Sequence, residues 1–191
     1  EISEKSKNNI KKIGYKTHDH KIENGKTYLT SNNKKYKLEV FGKHTLQNIT
    51  AAYYVCKECG ISDESFYKPI STFKGARKRL QKLGENKNTT VFLDFAHSPS
   101  KLKATLNAVK EQFKERELIA CMELHTFSSL KKEFLNEYKN TMDKADRAIV
   151  FFNPEVLKHK RLAFISPEQV KKAFNKKDLL VYTKKDDLLK D

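Results

Sequence analysis

The chain has 191 residues, with 39 Lys and Arg against 24 Asp and Glu, a formal net charge of +15 and a hydrophobic share of 38%. That length allows one large domain or two small ones, and apolar runs such as Thr90-Val-Phe-Leu93 and Arg147-Ala-Ile-Val-Phe-Phe152 exclude a disordered chain. No stretch approaches the ~20 apolar residues of a membrane span, and three cysteines cannot all pair, which disfavours a disulfide scaffold and suits a reducing cytoplasm.

The positive charge is spread rather than gathered beside exposed aromatics. It reads as a lysine-rich solvated surface that attracts anionic small molecules, with no nucleic-acid patch and no membrane segment.

Residues 1–42 read as β-hairpin material. Asn24-Gly25 signals a type I′ turn, and Ser31-Asn32-Asn33 marks the next reversal before Tyr36, Leu38 and Val40 alternate. From His44 the period becomes helical, with Ile49, Ala52, Tyr53 and Cys56 on one stripe and Gly60 as C-cap. Cys56 and Cys59 form a C-x-x-C pair without the second pair that a structural zinc site needs, so packing is the better account. A second helix follows Ser62 to about Thr72. The Lys-, Arg- and Gly-rich stretch 73–88 reads as a linker and domain boundary.

A β-α-β-α-β pattern follows. Thr89 to Asp94 is expected as a buried strand, and Ser98-Pro99 starts a helix bearing Leu102, Leu106, Val109 and Phe113. Leu118 to Leu124 is the next strand, Ser129 to Met142 one helix with Leu130, Phe134 and Tyr138 inward, and Arg147 to Phe152 a third strand. Ser166-Pro-Glu-Gln169 opens a helix through Phe174 by a capping-box form. A strand at 179–183 and another helix from Lys184 end the chain. This alternation predicts an α/β fold with a mainly parallel, doubly wound, Rossmann-like sheet, incomplete as given, preceded by an α+β piece.

In such a sheet ligands bind beyond the carboxyl ends of the strands, where Asp94 and His97 fall. Asp94 there suits either a ribose diol or the capping of its own loop.

The segment Asp94-Phe-Ala-His-Ser-Pro99 resembles the Asp-Asp-Tyr-Gly-His-His-Pro motif of the Mur ligases, in the group that adds L-alanine or a peptide to UDP-N-acetylmuramate. Gly42-Lys-His-Thr-Leu-Gln-Asn-Ile-Thr-Ala-Ala52 is similar to that family's Gly-x-His-Asn-x-x-Asn-Ala-x-Ala-Ala helix, and Phe73-Lys-Gly-Ala-Arg-Lys-Arg79 to its Phe-x-Gly-x-x-Arg-Arg motif.

The resemblance implies that residues 1–74 are the rear of a central ATP-binding domain and 75–191 a truncated amino-acid- or peptide-binding domain. It implies that Asn48 contacts the nucleotide base, that His44, matching the histidine before it, also serves the nucleotide, and that Arg79 and Asp94 hold ribose and phosphates from the two sides of the interdomain hinge. Thr45 replaces the family's first asparagine and Lys78 its first arginine. His97 matches the first histidine of His-His-Pro; Ser98 stands for the second and Lys101 for a later acidic residue. These positions, with His125 in Glu123-Leu-His-Thr-Phe127, where the L-alanine-adding group has Gln-Pro-His-Arg-Phe, are candidate substrate contacts.

ATP and Mg2+ are the implied cofactors, and UDP-N-acetylmuramate with an amino acid or peptide the implied partners, in the cytoplasm. No glycine lies in a phosphate-cradling loop pattern, so that loop and most Mg2+ ligands are expected outside the chain, which alone should be inactive. Replacing Asp94 or Arg79 is then expected to weaken ATP use while sparing the melting temperature. A folylpolyglutamate synthase-like ligase fits less well, and a non-catalytic basic module would show salt-sensitive DNA affinity.

Overall fold

The computed structural model describes residues 11–190, so the hairpin reading of residues 1–10 lies outside the described residues. The chain divides into two compact units, up to Lys74 and from Gly75.

The first unit opens with an antiparallel meander of β1 (His20–Glu23), β2 (Lys26–Ser31) and β3 (Lys34–Lys37). Its turns follow from their residues. Asn24 and Gly25 have φ of 50° and 68°, and Asn32 and Asn33 have 48° and 60°. Positive φ at both central positions suits the right-handed twist of the flanking strands, and asparagine and glycine tolerate it best.

Two helices cover this meander: α1 (Lys43–Glu58) and α2 (Asp63–Ile70). Leu46, Ile49, Phe66 and Tyr67 pack on Leu29 and Leu38, with Tyr53 and Cys56 at the margin. Ala52, expected on the buried stripe of α1, is exposed; Thr50 is buried in its place and bonds back to the Leu46 carbonyl at 3.1 Å. Ser62 caps α2 by accepting the Ser65 N–H at 3.2 Å.

The second unit departs from expectation at its start. The stretch read as a linker contains a strand, β4 (Gln81–Glu85), which pairs antiparallel with β5 (Thr90–Leu93). Thr89 to Asp94 therefore does not supply a buried strand of the parallel sheet. Its outer side chains Val91 and Leu93 are 49% and 39% exposed, while Thr90 and Phe92 share the covered face, Phe92 against Phe113. An antiparallel partner takes one backbone edge of β5, and its alternation follows from a ribbon covered on one face.

After α3 (Pro99–Gln112) the expected parallel sheet is present as β6 (Ile119–Glu123), β7 (Arg147–Phe151) and β8 (Leu180–Tyr182), in that order. Ala120, Met122, Ala148 and Val150 point into a core closed by Leu102 and Leu106 of α3 and by Val170 and Phe174 of α6 (Pro167–Phe174).

The helix expected over 129–142 is broken. It comprises α4 (Lys132–Leu135), a 3-10 turn at Asn136–Tyr138 and a left-handed Asn140 with φ of 60°. Asn140 donates its N–H to the Phe174 carbonyl at 3.0 Å, so a tertiary bond redirects the chain where an asparagine permits αL. Leu130 and Tyr138 are nonetheless fully buried as expected, with Phe134 packed beside them. Two short helices, α5 (Pro154–His159) after β7 and α7 (Lys185–Leu188) at the end, complete the unit.

Candidate functional site

Between β5 and β6, floored by α3, lies a cavity of about 1080 Å3. Asp94, Phe95, His97 and His125 line it where the two strands end. Of the two strands only β6 belongs to the parallel sheet, and its carboxyl end, where His125 follows Glu123, is the edge where such sheets bind ligands.

The organising residue is Asp94. Its Oδ1 accepts the N–H of Phe95 at 2.8 Å and of Leu80 at 3.3 Å, and its Oδ2 accepts the Thr105 hydroxyl of α3. One carboxylate thus ties the segment before β4, the end of β5 and a helix. These bonds occupy three of about four lone-pair sites, leaving little capacity for a ligand. Lys78 and Leu80 flank Arg79 with φ of 57° and 42°, and the Phe95 N–H also reaches the Lys78 carbonyl at 3.0 Å. Left-handed backbone at two non-glycine residues is unfavourable, so these tertiary bonds hold it in place. The expectation that Asp94→Ala spares stability is corrected here, because the carboxylate is part of the local scaffold.

Phe95 is the hub that sequence reading did not single out. The Arg79 guanidinium lies 5.7 Å from its ring centroid and donates weakly to its carbonyl at 3.5 Å. The rings of His97 and His125 stand 4.8 Å and 5.7 Å from it. Arg79 and Asp94, expected from opposite sides of a hinge, belong to one unit. The available signal was the aromatic between the Asp and His of Asp94-Phe-Ala-His97, at a strand end.

His97 is fixed from behind. Tyr138, fully buried, donates its hydroxyl to the His97 carbonyl at 2.6 Å, and burial pushes the Tyr138 phenol up to about 12. The hydroxyl therefore stays protonated and a donor at ordinary pH. Ser98 occupies the N-cap of α3, yet its side chain makes no capping bond there, unlike Ser62 and Ser166.

His125 sits one residue beyond the buried Leu124, its Nδ1 3.3 Å from the Glu123 carbonyl. The turn behind it is closed by Thr126 and Ser129: the Ser129 Oγ accepts the Thr126 N–H at 3.0 Å, and the Thr126 Oγ1 accepts the Ser129 N–H at 3.1 Å.

The remaining two candidates are in the first unit. His44 and Asn48 are exposed and four residues apart, hence on one face of α1. Among the described residues no group of three His, Cys, Asp or Glu side chains could hold a metal ion. No helix among them is long and apolar enough to cross a membrane.

A family model described as the Mur ligase, glutamate ligase domain matches residues 78–191. A UDP-N-acetylmuramate–L-alanine ligase of Caldicellulosiruptor bescii is 37% identical over 114 residues, covering 60% of this chain and 25% of that protein. One from Pelagibacter ubique is 34% identical over 126 residues, covering 66% and 26%. The chain thus spans about a quarter of the length of these relatives. The crystal structure of a UDP-N-acetylmuramate–alanine ligase from Thermotoga maritima shares the fold with a TM-score of 0.67 at 18% identity, over 90% of this chain and 38% of that one.

Proposed function

Since this chain belongs to the Mur ligases and carries their glutamate ligase domain over residues 78–191, we propose that it is part of an ATP-dependent ligase joining L-alanine, or a peptide, to UDP-N-acetylmuramate. The observation that carries this reading is the convergence of Arg79, His97 and His125 on Phe95 at the mouth of the cavity, held by Asp94. L-alanine ligases of other organisms are similar to this chain over 60% and 66% of its length, which supports the choice of substrate.

In this reading a substrate carboxylate oxygen attacks the γ-phosphorus of ATP and ADP leaves. The amine nitrogen then attacks the acyl phosphate carbon, expelling phosphate and losing a proton. This chain's residues bind and orient rather than transfer the phosphoryl group. The Arg79 guanidinium, exposed and without a carboxylate partner among the described residues, offers its donors to nucleotide phosphates while Phe95 presents an aromatic face beside it. Asp94 holds the Leu80 backbone next to that arginine and keeps one acceptor position towards a ribose hydroxyl. His44 and Asn48 on α1 present polar side chains to the base. His97, with Ser98 and His125, lines the amine side.

Residues 1–74 serve as the rear of the ATP-binding domain and 75–191 as the amine-binding domain. Mg2+ would be held mostly by ligands outside residues 1–191, where it would neutralise phosphate charge.

The test is phosphate release by the complete gene product with ATP, UDP-N-acetylmuramate and L-alanine or a tripeptide. Amide formation with one of these amines is expected, and none from residues 1–191 alone, which lack a phosphate-loop pattern. A complete product that forms no amide with either would sink the reading.

A further inference from the structure

The turn after β6 and the helix after β7 leave the same edge of the parallel sheet, since Glu123 and Phe151 are register partners and Leu124 donates its N–H to the Phe151 carbonyl at 2.9 Å. The first brings Phe127, 57% exposed, two residues past His125. The second brings Lys160, the C-cap of α5, whose ammonium lies 3.8 Å from the Phe127 ring centroid. Lys160 is half-buried yet has no carboxylate partner among the described residues, whereas Lys158 pairs with Glu155 and Lys110 with Asp146.

An ammonium on an aromatic face is held by the ring's quadrupole without spending its N–H donors on an acceptor. Those donors remain for an anion. Thr126 cannot supply the charge, because it is neutral and its N–H and hydroxyl close the turn with Ser129. Arg79 is already seated on another ring, that of Phe95.

We propose that Lys160, seated on Phe127, binds the carboxylate of the incoming amino acid or peptide. This rests on the ligase reading above and adds to it the residue that selects an amine carrying a carboxylate. Phe127, two residues past His125 in the same turn, positions the ammonium. The fixed cation favours amines that present a negative charge over neutral ones, through a charge-assisted hydrogen bond.

The experiment uses the complete gene product and steady-state kinetics with L-alanine, or the tripeptide if the wild type prefers it, against the same compound as its C-terminal amide. Lys160→Gln is expected to raise the KM for the acid by roughly ten- to a hundredfold, the size of a lost charge-assisted bond. The KM for ATP and the kinetics with the amide should stay near wild type. Lys160→Arg should restore most of the preference, and Phe127→Leu should weaken it partly. An unchanged acid KM in Lys160→Gln overturns the proposal, and so does an equal rise for acid and amide, which marks a packing role. Absence of turnover by the wild type with either amine would instead refute the ligase reading itself, and this inference with it.

Discussion

Asp63 and Asp94 each collect three hydrogen bonds, and they do so differently. Asp63, in the first turn of α2, accepts from side chains: the Tyr53 hydroxyl at 2.9 Å, the Lys57 ammonium at 3.1 Å and the Asn32 amide at 3.2 Å. Asp94 accepts mainly from backbone, the N–H groups of Leu80 and Phe95, plus the Thr105 hydroxyl. Side-chain donors at a surface turn to water when their acceptor is removed. Backbone donors in a tight loop cannot do so without moving the chain. Asp63 therefore adds stability to a fold that exists without it, whereas Asp94 sets the path of the backbone carrying Arg79 and Phe95.

Removing Asp94 should have the largest effect. Asp94→Ala is expected to cost roughly 2–3 kcal/mol in denaturant unfolding of the second unit, since two backbone donors lose a charged acceptor together. It should also weaken ATP use by roughly ten- to a hundredfold in the complete enzyme. Asp94→Asn keeps an oxygen for the two N–H groups and should retain most of the stability. Equal losses in the two variants would show that the charge matters rather than the backbone bonds, and the contrast with Asp63 would fail.

Tyr138→Phe comes next, at about 1 kcal/mol, for it takes away one neutral hydrogen bond without altering the packed ring. The more telling readout is the amine KM, which should rise as the His97 carbonyl loses its anchor. An unchanged amine KM would confine Tyr138 to the core.

For Asp63 the sharper probe is pH. The Tyr53 hydroxyl first, and then Lys57, hold its carboxyl below the usual aspartate value. A carboxyl lowered on folding contributes stability above its unfolded pKa of about 3.9, and that contribution disappears as pH falls through the folded value. The melting-temperature gap between wild type and Asp63→Asn should therefore be present near neutrality and close in strong acid. Tyr53 shows the opposite sign: burial and the Asp63 bond push it up to about 12, so its contribution is present below about 10 and lost as pH rises through about 12. In an ultraviolet titration, Tyr53→Phe should remove one late-ionising phenol. A gap that persists unchanged in acid would place the worth of Asp63 elsewhere.

The smallest effect on stability belongs to Arg79→Ala, well under ~1 kcal/mol for an exposed guanidinium. Its loss should still weaken ATP use by roughly tenfold or more. That separation of binding from stability is the complement of Asp94, where the two should fall together.

Much of the architecture was legible in local chemistry. Asn24-Gly25 specifies its turn because few other pairs accept positive φ twice. Ser166 and Gln169 form the capping box that their spacing announces, with bonds of 3.2 and 2.9 Å. The short helix α5 was also signalled, since Asn153 caps it and Pro154 occupies its first turn, but its six residues carry too little periodicity to be noticed. Within the site, the candidate residues were visible as unusual side chains at strand ends. Phe95 was not, because an aromatic in such a run reads as core until its neighbours are known.

By itself the sequence determined what depends on neighbours a few residues apart: turn types, caps, helix stripes and the alternation that leads to a parallel sheet. Tertiary structure decided three things. It made β4 a strand, because the polar run Gln-Lys-Leu-Gly-Glu acquires its ladder only from β5. It broke the helix after Leu135, because the Asn140 N–H found the Phe174 carbonyl. It turned Asp94 inward onto Leu80, Phe95 and Thr105, because partners 11 and 14 residues away in sequence come within reach only after α3 has packed. Pairing and hydrogen bonding between distant residues depend on that closure, and no local pattern encodes it.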